Sequence, residues 1–171
     1  MKKFFIIAAL MLATTIALTS CGGDDEPKEK TRVTATYTMT FSQDLLDACN
    51  VFLTYKAENG RNVMESVTTT QWTKTVTSDK FPAEFGVQYV FSTKSEAELI
   101  KEKYDLKCDF NFKYNTTKGA SFANSSTIFD SQGLAKNKVI EYLKRYSGKS
   151  TGYKVTEDGN MTPANNLNYN N

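Results

Sequence analysis

Val33-Thr34-Ala35-Thr36-Tyr37-Thr38-Met39-Thr40-Phe41 alternates without a break, with apolar side chains at the odd positions and threonines at the even ones. Strict period two over this length predicts a β-strand with one buried and one wet face, the habit of antiparallel sheets. Tyr104 to Tyr114 repeats the pattern: Leu106, Cys108, Phe110 and Phe112 share one face, and Asp105, Lys107, Asp109, Asn111 and Lys113 the other. Val51, Leu53 and Tyr55 make a third apolar face, and Phe85, Val87, Tyr89 and Phe91 a fourth. Between 51–57 and 62–70 lies Asn59-Gly60, two residues that tolerate positive φ, so these segments are expected to pair as a hairpin. Asp158-Gly159, after Tyr153 and Val155, is a second candidate turn. Residues 62–77, with Met64, Val67, Trp72 and Val76 among threonines, read as one strand or two.

Two stretches read as helix. Asp130-Ser131 can cap a helix through Leu134, Val139, Tyr142, Leu143 and Tyr146, stopped by Gly148. Lys136, Lys138, Glu141, Lys144 and Arg145 form its solvated outer face, which reads as ordinary surface rather than a binding patch. Ser95 and Glu98 suggest a capping box for a shorter helix over 96–103. The fold class is therefore mainly β with one or two helices. An antiparallel β-sandwich, or a curled sheet with a helix near 132–146 packed on it, fits this order.

The 171 residues contain three cysteines and no histidine. Without imidazole there is no Ser-His-Asp or Cys-His nucleophile and no His-ligated zinc or haem. Lys2 and Lys3, the apolar run Phe4 to Leu18 and the small residues before Cys21 have the layout of a cleaved secretory signal peptide. The apolar part is shorter than the roughly 20 residues a membrane-spanning helix needs. Removing Lys2 and Lys3 leaves 19 basic residues against 19 acidic ones, so no field draws the mature chain to nucleic acid or anionic lipid.

Leu18-Thr19-Ser20-Cys21 resembles the lipobox of bacterial lipoproteins. The resemblance implies diacylglycerol on the Cys21 sulfur, cleavage before Cys21 and acylation of the new amino terminus. Three acyl chains exceed the two signals that stable anchoring requires. Gly22-Gly23-Asp24-Asp25-Glu26 is similar to the acidic export signal of Bacteroidota surface lipoproteins, with Asp24, Asp25 and Glu26 as its acidic residues. That similarity implies an outer-membrane protein facing the medium, with a periplasm-facing domain as the alternative. The expected organisation is then a signal peptide over 1–20, a lipidated tether over 21–31 and one β-rich domain over 32–162. An asparagine-rich, frayed tail over 163–171 completes it.

Cys49 and Cys108 carry the parity of inward-facing residues, and an exported protein meets an oxidising compartment. A disulfide between them is expected, worth about 4 kcal/mol in the loop-entropy description. Cys49, Trp72 and Cys108 fall in an immunoglobulin-like order, but Leu106 stands where that fold's corner tyrosine belongs, so no family follows.

Catalytic motifs are sparse. Gly119-Ala120-Ser121-Phe122-Ala123 lacks the last glycine of a nucleophile elbow and has no histidine to serve it. Asp105 and Asp109 lie roughly 13 Å apart along one strand, beyond the reach of paired glycosidase carboxylates. Glu157-Asp158-Gly159-Asn160 is too short for a calcium loop. No metal, cofactor or catalytic residue is expected. Trp72, set among Thr69, Thr70, Gln71, Thr73, Lys74 and Thr75, is either a core ring or a flat platform for a sugar. The expectation is a non-catalytic binding module, anchored by lipid on Cys21, for a glycan or a surface protein. A small carboxylate-dependent hydrolase and a structural subunit of a surface assembly are the alternatives.

Overall fold

The alternating segment is β1 (Val33–Phe41), and every odd residue in it is buried. It lies antiparallel between β4 (Gln71–Ser78) and β6 (Lys103–Thr116), and β6 carries β7 (Ser121–Ala135) on its far edge. These form one sheet in the order β4-β1-β6-β7. The second comprises β3 (Asn62–Val67), β2 (Cys49–Lys56), β5 (Ala83–Thr93), β8 (Ser150–Val155) and β9 (Met161–Pro163), in that order. This computed structural model describes residues 30–170, so Cys21, Asp24, Asp25 and Glu26 lie outside the described residues. No helix among the described residues is long and apolar enough to cross a membrane.

Aromatic side chains fill the space between the two inner faces. Phe112 of the first sheet stacks on Tyr153 of the second, centroids 4.6 Å apart, and lies 6.0 Å from Phe85. Further along, Phe91 meets Phe129 edge-on at 5.5 Å. The result is an antiparallel sandwich, as the alternation predicts. Tyr37 crosses the core: its hydroxyl donates to the Lys56 carbonyl (2.8 Å) and accepts from the Gly86 N–H (3.2 Å), tying β1 to the opposite sheet.

The expected hairpin joins β2 to β3, with Val51 opposite Val67 and Lys56 opposite Asn62. Asn59 and Gly60 take φ of 55° and 81° at its tip. The 62–77 segment resolves into two strands in different sheets, because after β3 the chain crosses over and β4 pairs with β1. A carboxylate spans that crossing. Glu65 accepts from Lys74 Nζ (2.8 Å), Trp72 Nε1 (3.0 Å) and Tyr55 OH (3.2 Å). Partial burial opposes its ionisation, yet hydrogen bonds from Lys74, Trp72 and Tyr55 outweigh this and hold its pKa below the usual 4.5. Glu65→Ala is therefore expected to cost about 2 kcal/mol in urea unfolding followed by Trp72 emission. Because the folded pKa is lowered, the ionised carboxylate's contribution is present above pH 4.5 and is lost as pH falls below it. The alanine variant is expected to show correspondingly less acid destabilisation.

A short helix not foreseen from the sequence, α1 (Gln43–Ala48), follows β1. Ser42 Oγ caps it by accepting from Leu45 N (3.3 Å), and Lys101 Nζ reaches Asp44 (2.6 Å) and Asp47 (2.9 Å). The Ser95–Glu98 capping box forms, but it opens only a single 3₁₀ turn at Glu96–Glu98, and Lys103 already belongs to β6. The later helix is also shorter than expected: α2 covers only Val139–Lys144. Asp130 and Ser131 do not cap it. They lie in β7, opposite Lys107 and Leu106, because pairing along β6 overrides the local helical spacing.

Both ends of the domain depart from the expected boundaries. Thr31, assigned by composition to the tether, is buried and donates to Glu157 Oε1 (3.0 Å). The asparagine-rich tail is docked, not frayed: Ala164, Leu167 and Tyr169 form a small buried cluster on the outer face of the second sheet. The floor beneath them is Gly86 and Gly152, direct partners across β5 and β8. A Cβ on Gly86 would run into the Tyr169 hydroxyl, and one on Gly152 would come within 2.7 Å of Leu167 Cδ1. Lys56, 5% exposed, completes the seat by donating to the Asn168 carbonyl (2.5 Å) beneath the Tyr169 ring. Gly86→Val is expected to displace the tail and cost about 1–3 kcal/mol. Faster chymotryptic cleavage at Leu167 and Tyr169 checks this.

Candidate functional site

Because β1 buries its odd residues, its threonines face outward, and the register across the first sheet lays them in rows. Thr77, Thr34, Asn115 and Ser121 form the row nearest the start of β1. Next come Thr75, Thr36, Lys113 and Ala123, and then Thr73, Thr38, Asn111 and Ser125. The last row is Gln71, Thr40, Asp109 and Thr127. Hydroxyl, amide and charged groups occupy all these positions except Ala123.

The threonines are linked in pairs. Thr34–Thr77, Thr36–Thr75 and Thr38–Thr73 share hydroxyl hydrogen bonds of 3.3, 3.0 and 3.2 Å. Each pair uses one donor internally and leaves one O–H and several lone pairs for a ligand. Cross-strand Thr pairs also stabilise the sheet modestly, by about 0.2–1 kcal/mol each.

The last two rows bound a shallow trough of about 310 Å³, lined by Thr38, Thr40, Asp109, Asn111, Ser125 and Thr127. A β-bulge between Cys108 and Asp109 shifts the register with β7 here and re-aims the flanking side chains. Thr127 Oγ1 donates to Asp109 Oδ1 (2.7 Å), and Thr40 Oγ1 approaches Oδ2 (3.5 Å). Asn111 Nδ2 donates to Ser125 Oγ (2.6 Å). Lys107 Nζ sits between Asp109 (3.4 Å) and Asp130 (3.7 Å). A carboxylate has about four lone-pair sites, so Asp109 keeps acceptor capacity facing the trough, oriented by its two threonine neighbours.

The residues singled out from sequence fall in several places. Asp109 is at the trough, whereas Asp105 is tied to β7, its Oδ1 accepting from Gly133 N (2.7 Å). Ser121, the serine of the incomplete elbow, opens β7 in the first row. Trp72 is not a ligand platform. It is 8% exposed, stacks on Tyr37 (6.4 Å) and meets Tyr55 edge-on (5.3 Å). Its neighbours are polar because Gln71, Thr73 and Thr75 occupy the outward parity of β4.

The disulfide expectation is likewise corrected: Cys49 and Cys108 both point into the core, but they are free thiols. Cys49 opens β2 directly after α1, and its Sγ turns back to donate to the Leu45 carbonyl (3.2 Å). Burial pushes the Cys49 thiol up to about 12 and raises Cys108 further, so both are inert hydrophobes at neutral pH.

A second hollow, about 170 Å³, lies beside Arg32, Asn59 and Asp79. Two of its polar side chains, Asp79 and Asn59, are already engaged. Asp79 holds Lys30 (3.2 Å), and Asn59 Oδ1 accepts from Ser78 Oγ and Asp79 N. The trough at Asp109 is the better candidate. Sequence alternation exposed its β1 and β6 walls, but its β7 wall of Ser125 and Thr127 emerges only from the strand pairing.

No protein family matches the chain, and neither a curated protein nor a solved structure shows significant similarity to it.

Proposed function

We propose that the chain is a lipid-anchored, non-catalytic binding module of the cell surface, and that its ligand is a glycan held on the outer face of β4-β1-β6-β7. The observation that carries this reading is the ordered polar face ending in the Asp109 trough. Protein interfaces concentrate aromatic, methionine and arginine side chains at a dry centre. This face has none of them among its four rows. It offers hydroxyls, amides and one carboxylate acceptor, which suit the many O–H groups of a sugar.

The placement of the trough suits the same reading. The tether enters before Val33, and the Thr40 row lies at the opposite end of β1, roughly 20 Å further on. A protein anchored through lipid on Cys21, as the lipobox resemblance implies, then carries Asp109 away from the membrane. Asp24, Asp25 and Glu26 would supply the export signal that turns the domain to the medium.

The test is a binding screen of the mature protein against immobilised neutral polysaccharides, with Asp109→Ala as the paired variant. Loss of a hydrogen-bonded charged acceptor is expected to weaken binding by at least about tenfold. The variant's unfolding midpoint is expected to stay unchanged, because exposed ion pairs contribute little. Equal binding by both proteins, or binding to no glycan, contradicts the proposal.

A further inference from the structure

On the reading that this face holds a glycan, we infer that the ligand is the interior of a long, uncharged, linear polysaccharide, laid lengthwise along β1. A chain end or a short oligosaccharide does not fit the geometry as well, for three reasons.

The first is repetition. Alternate residues of a strand are spaced by roughly 6.7 Å, so the four outward positions Thr34, Thr36, Thr38 and Thr40 run roughly 20 Å in one direction. Three of the four rungs present the same pair of hydroxyls and methyls. A surface that repeats its chemistry along one axis matches a ligand that does the same. Each threonine sets a methyl beside a hydroxyl, and a sugar ring likewise sets C–H beside O–H.

The second is that the ends of the face are open. Sites that take a whole small molecule enclose most of its surface. Here Asn115 and Ser121 in the first row and Gln71 and Thr127 in the last are all exposed, so these positions are open to solvent at both ends of the face. A polymer can enter and leave along β1.

The third is charge. The only charged residues in the four rows are Lys113 and Asp109, one of each sign, and Asp109 is also paired with Lys107. A polyanionic or polycationic glycan gains nothing from such a face.

The experiment measures affinity of the mature protein for a β-glucan and a mannan, each as monosaccharide, short oligomer and long polymer. Affinity is expected to rise by about tenfold for each rung covered, until the ligand spans roughly 20 Å. Salt is expected to leave it unchanged. Thr36→Lys interrupts the second rung at a surface position outside the core. It is expected to lower affinity for the polymer at least about tenfold. Ser66→Lys, exposed on the opposite sheet, is expected to change nothing.

Binding independent of chain length, or falling steeply with salt, overturns this inference and leaves the glycan reading standing. Length-dependent binding untouched by Thr36→Lys places the polymer elsewhere and overturns it too. Failure of both glycans to bind at any length removes the glycan reading as well, with the inference that rests on it.

Discussion

Phe112→Ala is expected to lower the unfolding free energy by about 3–5 kcal/mol, the range for emptying a buried aromatic site. Phe112 is fully buried at the middle of β6 and has aromatic neighbours on every side. It stacks on Tyr153 at 4.6 Å and lies within about 6 Å of Tyr37, Phe85 and Tyr114. Those four rings come from both sheets, so the cavity opens in the seam that holds the sandwich closed and cannot collapse by moving one strand. For a domain of this size the loss corresponds to a melting shift of about 6–20 °C. Met64→Ala is the matched control. Met64 is 67% exposed on the outer face of β3, and its truncation is expected to stay within about 0.5 kcal/mol. Trp72, the chain's single tryptophan, lies in the same aromatic cluster against Tyr37 and reports both transitions.

Cys21→Ala is expected to move the protein from the membrane fraction to the soluble fraction almost completely. The proposed anchor is acyl chains alone, and one chain gives only marginal, reversible binding whereas two or more hold firmly. Removing the acylated sulfur also removes the signal for the later acylation that the lipobox resemblance implies. No helix among the described residues is long and apolar enough to cross a bilayer. Fractionation of cells expressing the two proteins measures the effect. Retention of the alanine variant in the membrane fraction contradicts the lipoprotein reading.

The sequence carried the fold most clearly where one strand has a dry face and a wet face. β1 and β6 alternate without interruption because both lie inside a sheet whose outer face meets solvent. β7 escaped for three reasons. It is an edge strand with few apolar residues, the bulge opposite Cys108 and Asp109 breaks its parity, and Leu134 falls into helical spacing with Val139 and Tyr142. Gly119 takes a φ of 90° at the turn between β6 and β7, the mark of a hairpin rather than of an elbow built on Ser121. The tail escaped for a different reason. Nothing local to Leu167 or Tyr169 indicates a seat, because the seat is made by Gly86 and Gly152 meeting across two strands far from them in sequence.

The candidate site was half legible. Alternation showed that threonines and charges share a wet face, but the rows exist only once β4, β1, β6 and β7 are in register. Trp72 stands among polar residues because Gln71, Thr73 and Thr75 belong to the site's face while Trp72 belongs to the core. Strand parity turns Cys49 and Cys108 inward, as both are in the structure. Parity determines where a side chain points and has no purchase on whether two sulfurs bond.

Glycan binding on the β4-β1-β6-β7 face is tested most directly by amide-resolved NMR of the mature protein titrated with a soluble neutral polysaccharide. Shift changes are expected along Thr36, Thr38, Asn111, Ser125 and Thr127, largest around Asp109, with Phe52, Met64 and Val90 on the opposite outer face unmoved. Changes confined to that opposite face, or a spectrum indifferent to every polysaccharide added, would contradict binding on the β4-β1-β6-β7 face.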